Sequence, residues 1–212
     1  MKRTALILVL ALIVAPTATQ AGDWLVRLRV INIDPNESSG TIGDTGSEVA
    51  VDSATVPEVD VTYMFNNRLG IEVVAAIADH DLTASGGALS GADLGTVSIL
   101  PPTVVLQFHP APGGMFDFYI GAGVNYTNFY DYDLSDDLEE LGVTDIDFSS
   151  SFGLAGDVGL NVWLGDNFNI NGDIKYAQIS TDAKIKAGSD TLDTVAVDIN
   201  PWIFGVGIGW RF

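Results

Sequence analysis

From Trp24 onward the chain alternates. Trp24, Val26, Leu28 and Val30 are apolar at every second position, with Arg27 and Arg29 set between them. Ile120, Ala122, Val124 and Tyr126 alternate with Gly121, Gly123, Asn125 and Thr127, and Phe168, Ile170, Ile174 and Tyr176 with Asn169, Asn171, Asp173 and Lys175. Successive side chains of a strand point to opposite faces, so each stretch has one apolar face and one polar or very small face. The pattern predicts strands over 24–33, 57–65, 69–78, 97–109, 118–130, 151–164, 168–179 and 202–212. Eight is an even number, which lets an antiparallel sheet close on itself.

The connections alternate too. Residues 66–69, 110–115 and 165–167 are tight turns, whereas 34–56, 79–95, 131–148 and 181–194 are long, polar and acidic. Short turns on one rim and long loops on the other are the pattern of transmembrane β-barrels, with the turns facing the periplasm. An eight-stranded cylinder has room for only a small interior. The apolar faces are therefore expected outward, in lipid, where closure also satisfies every backbone group. Aromatic residues fall where two interfacial girdles would lie. Trp24, Phe65, Phe108, Phe118, Phe168 and Trp210 mark the turn rim, and Tyr126, Tyr130, Phe152, Tyr176 and Trp202 lie about a membrane thickness away. A soluble lipocalin-like barrel, with its apolar face inside, would have no place for so many outward-fitting aromatics.

The last stretch, 202–212, has about the length needed to cross a bilayer as a strand. Its bulky residues face lipid, its glycines face inward, and it stops on Phe212. A terminal aromatic after alternating apolar residues resembles the signal by which barrel-assembly machinery recognises its substrates, so Phe212 is the expected assembly signal.

Composition narrows the picture. Lys2 and Arg3, an apolar run and small residues ending at Ala21 read as a cleaved signal peptide, 1–21, leaving a single barrel domain, 22–212. Loss of Lys2 and Arg3 leaves seven basic residues against 28 acidic ones, a net charge of −21. That balance excludes nucleic acid as a partner. With no cysteine there is neither a disulfide framework nor a thiolate metal site.

Several segments resemble the OmpW family of small outer-membrane barrels: 61–76, VTYMFNNRLGIEVVAA; 100–108, LPPTVVLQF; 119–131, YIGAGVNYTNFYD; 152–164, FGLAGDVGLNVWL; and 199–212, INPWIFGVGIGWRF. They occur in order and span most of the mature chain. The resemblance implies an eight-stranded antiparallel transmembrane barrel in the outer membrane of a Gram-negative bacterium, both termini periplasmic. It also implies a narrow lumen serving uptake of small hydrophobic molecules. Outer-membrane lipid and lipopolysaccharide would be the surroundings.

Face assignment by parity places Arg27, Arg29, Lys175 and Arg211 inside, opposite Glu58, Asp60, Glu72, Asp157 and Asp173. So narrow a space requires these charges to be paired or hydrated. A packed charge layer would bar an apolar solute from passing straight through. An alternative exit is marked by Pro101 and Pro102, which interrupt the fourth strand and lack ladder amides. Apolar parity also flips across them, from Val97 and Ile99 to Val104, Leu106 and Phe108, which points to a bulge or a local opening in the wall.

Met64, Val74, Val105, Trp163 and Ile203 are the apolar residues expected to face the lumen. The inward glycines either leave a conduit or make room for the arginines. In 131–142, Ser135 would cap a short helix ended by Gly142. Its carboxylates lack the glycine and glutamate positions of an EF-hand and read as a solvated acidic rim, with divalent ions bridging it to lipopolysaccharide as the other option. His80 and His109 fall at opposite ends, and no catalytic triad spacing occurs, so neither a metal, a cofactor nor an enzymatic activity is expected. Two functions are left: a channel for hydrophobic molecules with lateral release, or a filled structural or adhesive barrel acting through its acidic loops.

Overall fold

The computed structural model describes residues 22–212, so the expected signal peptide lies outside the described residues. Strand β1 (Trp24–Asp34) is followed by the short β2 (Ser38–Ser39) and β3 (Glu48–Val51), then by β4 (Ala54–Met64). The third crossing of the wall is β5 (Leu69–Ala76) continued by β6 (Ala78–Ser85). The fourth descends as β7 (Asp93–Leu100) and β8 (Thr103–Phe108). The fifth is the unbroken β9 (Phe116–Asp133), after which come helix α1 (Asp136–Glu140) and β10 (Asp145–Phe148). The sixth is β11 (Ser151–Trp163), the seventh β12 (Phe168–Ala177) with β13 (Ser180–Ala187), and the eighth β14 (Asp190–Asp198) with β15 (Trp202–Arg211).

All pairings are antiparallel, and the ring β1, β4, β5, β8, β9, β11, β12, β15 returns to β1 through Leu25↔Arg211 to Asp34↔Trp202. Closure leaves no free edge where hydrocarbon would surround the wall. The eight-stranded barrel expected from the alternation is therefore the fold. Its strands are longer than the alternation indicated: 79–85, 93–95, 181–187 and 190–194, which read as loops, belong to β6, β7, β13 and β14 and carry the wall upward beyond the lipid band.

The reason they escape a search for apolar outward faces lies in their polarity. On the eighth crossing Trp202, Phe204, Val206, Ile208 and Trp210 point outward and are exposed. Above Asn200 the pattern inverts, with Val195, Val197 and Ile199 buried inside while Ala196 and Asp198 face out. The third crossing does the same, from buried Glu72 below to buried Ala78 and Leu82 above, with Asp79 and Asp81 outside. Lipid surrounds the lower part and water the upper part. The same cylinder must be apolar outside below and apolar inside above.

This inversion corrects the reading of Pro101 and Pro102. The pleat does not flip across them: Val97, Ile99, Thr103 and Val105 are all buried on one inner face. What changes is the medium outside, so the apolar parity switches although the geometry does not. The one-residue bulge lies on the neighbouring strand, where Tyr130 is the extra residue between Ser98↔Asp131 and Ile99↔Phe129. The prolines do sit in a break. The third and fourth crossings are paired at Val74↔Thr103 below and Ala78↔Ile99 above, with no ladder pairing in between. Breaks at Ile77, Gln178–Ile179 and Ile199–Pro201 fall on the same belt, linked by Tyr126 N donating to Pro102 O at 3.0 Å and Gln178 N to Leu154 O at 2.8 Å. Asn200 turns the chain with φ 40°, and its side-chain oxygen accepts from Ile179 N at 3.1 Å.

Aromatic pairs mark both ends of the lipid band: Phe168 with Trp210 and Trp24 with Tyr63 at the turn rim, Tyr176 with Trp202 at the belt. Val206, midway between Trp202 and Trp210, is 66% exposed. Val206→Arg is expected to cost about 2–4 kcal/mol, the penalty for a cation at the bilayer midplane. Ala196→Arg, outward but above the belt, is expected to stay within about 0.5 kcal/mol. Denaturant titration of the protein in lipid vesicles measures both.

Candidate functional site: an ionic floor and an apolar chamber

Inside the lipid-embedded ring, β1 presents Arg27 and Arg29, neither of which reaches solvent. Arg27 Nε donates to Asp60 at 2.7 Å, and its Nη2 to Glu72 at 2.7 Å and Thr62 at 2.7 Å. Arg29 Nη1 meets Glu58 at 2.7 Å and Asp60 at 2.8 Å, while Nε donates to Asn171 at 2.6 Å. Lys175 Nζ joins Glu58 at 2.8 Å and Asp173 at 2.6 Å. Gln107 Nε2 links the outlying Asp157 (2.7 Å) to Glu72 (3.1 Å). Eight of the nine residues expected in a lumen charge layer thus form one network.

The ninth does not. Arg211 lies at the turn rim, stacked 3.9 Å over Trp163 and 3.9 Å from Asp23. Parity assigned its face correctly but says nothing of height. Met64 is at the same rim, its amide donating to Asp23 O at 2.9 Å. Met64 and Trp163 therefore stand below the ionic layer, Val105 lies level with it opposite Glu72, and Val74 lies just above. Ile203 packs against the apolar cluster above. Phe212 closes the barrel, its amide donating to Trp24 O at 2.9 Å with the ring exposed.

The inward glycines make room for the layer. A methyl group at Gly207 would strike Leu28 O and the Arg29 backbone; at Gly205 it would strike Asp173, at Gly121 Asp157, and at Gly159 the Tyr119 ring. The choice between a conduit and room for arginines falls to the second. Tyr119, with Arg27 5.3 Å over its ring and its hydroxyl accepting from Asn171 at 3.1 Å, is a member that a search for charges missed. Below it Asn161 and Asp117 (3.2 Å) and His109 and Asp117 (2.9 Å) continue the polar filling toward the rim.

Above the belt the contents change. Ile99, Val97, Leu82, Phe129, Val197 and Ile199 enclose an apolar cavity of about 60 Å³, with Leu138 of α1 reaching into it. Ser135 caps that helix by accepting from Leu138 N, and Gly142 follows with φ 85°, as its sequence suggested. His80 is the polar exception in the chamber wall. Its Nδ1 is 2.8 Å from Asp52 O. Burial holds the imidazole below its ordinary range, against the upward pull of the Asp52 carbonyl and the nearby Asp79 and Asp81 carboxylates. His80 and His109 lie at opposite ends, as expected.

The OmpW family model matches residues 20–212. Outer membrane protein W of Vibrio cholerae is 38% identical over 218 residues, covering 100% of each chain. The crystal structure of OprG from Pseudomonas aeruginosa superposes with a TM-score of 0.84 at 33% identity, covering 91% of this chain and 96% of that one. A more distant relative from the same species, named Dibenzothiophene metabolism operon protein PahQ, is 23% identical over 217 residues, covering 100% of this chain and 99% of its own length.

Two outcomes follow from the floor and the chamber. Arg27→Met leaves Asp60 and Glu72 with Arg29 as their one remaining cation and is expected to cost about 3–5 kcal/mol, whereas Arg211→Met, at a half-exposed rim pair, is expected to cost under about 1 kcal/mol; vesicle unfolding curves compare them. His80 is favoured neutral in the folded chamber, so the unfolded state binds more protons once pH falls to its unperturbed value. Local stability is then full above about pH 6.5 and declines below it. Amide protection in β3 and β6, taken relative to the intrinsic exchange rate at each pH, is expected to fall from about pH 7.5 to about pH 5, and His80→Gln to reduce that dependence.

Proposed function

The chain belongs to the OmpW family of Gram-negative outer-membrane barrels, and from that premise we propose that it is a channel for passive uptake of small hydrophobic molecules, releasing them sideways into the membrane. The short-turn rim and both termini face the periplasm in this reading, and the chamber faces outward. One observation carries it: an apolar chamber stands directly on a buried ionic layer in which Arg27, Arg29 and Lys175 are each paired with two or more carboxylates. An apolar solute held in the chamber cannot displace that layer, because parting buried ion pairs leaves uncompensated charges at a cost of several kcal/mol each.

Sideways departure is cheaper. Between Val74↔Thr103 and Ala78↔Ile99 the wall has no ladder to break, and Pro101 and Pro102 have no amides with which to form one. The gap adjoins Ile99 and Ala78 of the chamber and is level with the outer edge of the lipid band. Val74, near the lower side of the gap, and Ile203, across the lumen, supply apolar surface at this height, so they stay on the proposed path together with Pro101 and Pro102. The name of the PahQ relative fits the same solute class, since dibenzothiophene is an uncharged fused aromatic. The reading also leaves no catalytic role for any residue.

Replacing Pro101 and Pro102 together by alanine returns two amides to the fourth crossing and lets the ladder close. Naphthalene uptake by cells is expected to fall toward that of cells lacking the protein, at equal amounts of folded barrel. Unchanged uptake rejects the lateral exit.

A further inference from the structure

Between β9 and β11 the chain leaves the barrel wall and returns as an arch. Up to Thr127↔Ser151 the two strands are paired. Above that, β9 pairs only with β7, from Leu100↔Asn128 to Thr96↔Asp133, and β10 pairs only with β13. The segment carrying α1 joins the two sides over the top. Ser135 Oγ donates to Asp93 O at 2.6 Å on one flank, and Thr144 N donates to Lys186 O at 2.8 Å on the other. The arch thus frames a window with no backbone ladder across it.

Aromatic rings fill the window. Phe129 stacks on Phe148 with centroids 5.6 Å apart, and Tyr132 meets Phe148 edge-on at 5.4 Å. Tyr132 is tethered through its hydroxyl to Leu94 O, whereas Phe148, whose backbone pairs with Ala183 at the end of β10, has no polar tether on its side chain. All three rings line the apolar chamber and are partly exposed on their other side.

The chamber's size makes an opening necessary. A cavity of about 60 Å³ is well under the roughly 150 Å³ that accommodates benzene, so loading an aromatic solute requires part of the wall to move. Through the paired strands that means breaking consecutive ladder hydrogen bonds, and the proline gap lies level with lipid; at the window it means parting ring contacts. We infer that this window is the solute entrance and Phe148 its moving leaf. The inference rests on the transport reading for its purpose, and Phe148 acts as a gate that selects for uncharged, ring-sized solutes able to exchange with its own contacts.

The chain has no cysteine, so an introduced thiol is unique. In outer-membrane vesicles, Val97→Cys places that thiol in the chamber wall, and N-phenylmaleimide reports access to it. Adding Phe148→Ala is expected to speed labelling at least tenfold. Adding Leu82→Ala, which removes bulk from the chamber wall away from the window, is expected to leave the rate within twofold. Equal rates with and without Phe148→Ala, or equal acceleration by Leu82→Ala, overturn the window.

In cells, Asn128→Cys with Ser150→Cys ties the arch to the wall across a 3.5 Å side-chain contact. Naphthalene uptake is expected to drop severalfold when this pair is oxidised and to recover on reduction. Uptake that ignores the oxidation state overturns the inference. If the reduced protein gives no uptake above cells lacking it, the transport reading fails, and the labelling rates alone decide whether the window opens.

Discussion

One continuous β-cylinder here stands in two solvents, and that constraint shapes every layer of it. Where hydrocarbon lies outside, the outer face carries Val206, Ile208 and their neighbours and the polar groups turn inward. Where water lies outside, Asp79, Asp81, Asp182 and Asp198 take the outer face and the apolar groups turn in. The hydrophobic effect operates only against water, so burial stabilises the upper half as it would a soluble barrel. Lipid matching stabilises the lower half. The belt of breaks at Ile77, Pro101–Pro102, Gln178–Ile179 and Ile199–Pro201 is where the two regimes meet.

The polar filling of the lower half follows from that arrangement. With the apolar residues facing lipid, a narrow lumen is left to charged and amide side chains, and its three buried cations, Arg27, Arg29 and Lys175, each meet carboxylates. Arg27 and Arg29 supply bidentate forks that three or more carboxylates share, which a lysine's point charge would not hold in fixed geometry. The glycines opposite are the corollary. The arginine stems leave β1 alongside its hydrogen-bonded neighbour and need positions there without side chains, and β15 provides Gly205, Gly207 and Gly209 at alternate inward positions. The alternation at the C-terminus is therefore set by lipid on one side and by β1 on the other.

How much of this was legible in the sequence depends on which physical variable each residue reports. Parity reports the face, and it placed Arg27, Arg29, Glu58, Asp60, Glu72, Asp157, Asp173 and Lys175 inside a closed eight-stranded wall. It does not report height, which is why Arg211, Met64 and Trp163 belong to the rim although they point inward. Tyr119 and Gln107 share the inward parity but are uncharged, so a search for charges passed over them. The upper strands were hidden by the inversion: an acidic outer face above the membrane looks like a loop when the test assumes lipid outside. The window was beyond reach, because Phe129, Tyr132 and Phe148 meet only through an arch whose path no local pattern encodes.

The proposed route uses two unlike interruptions of the same wall, and their difference has a consequence. At the belt, prolines remove the donors, so the gap persists whatever the side chains do. At the window the backbone is absent but rings stand in its place, so closure is maintained by contacts that an apolar solute can replace with its own. A polar solute cannot make that exchange, since it would lose its hydration and gain only ring faces in return. Selectivity thus arises at the step of entering, from the cost of dehydration against an aromatic lining. The ionic floor needs to discriminate nothing; its task is to stay closed. On the proposed route greasy molecules would pass without a continuous aqueous path through the membrane, because the permeant never crosses the layer that water and ions would have to cross.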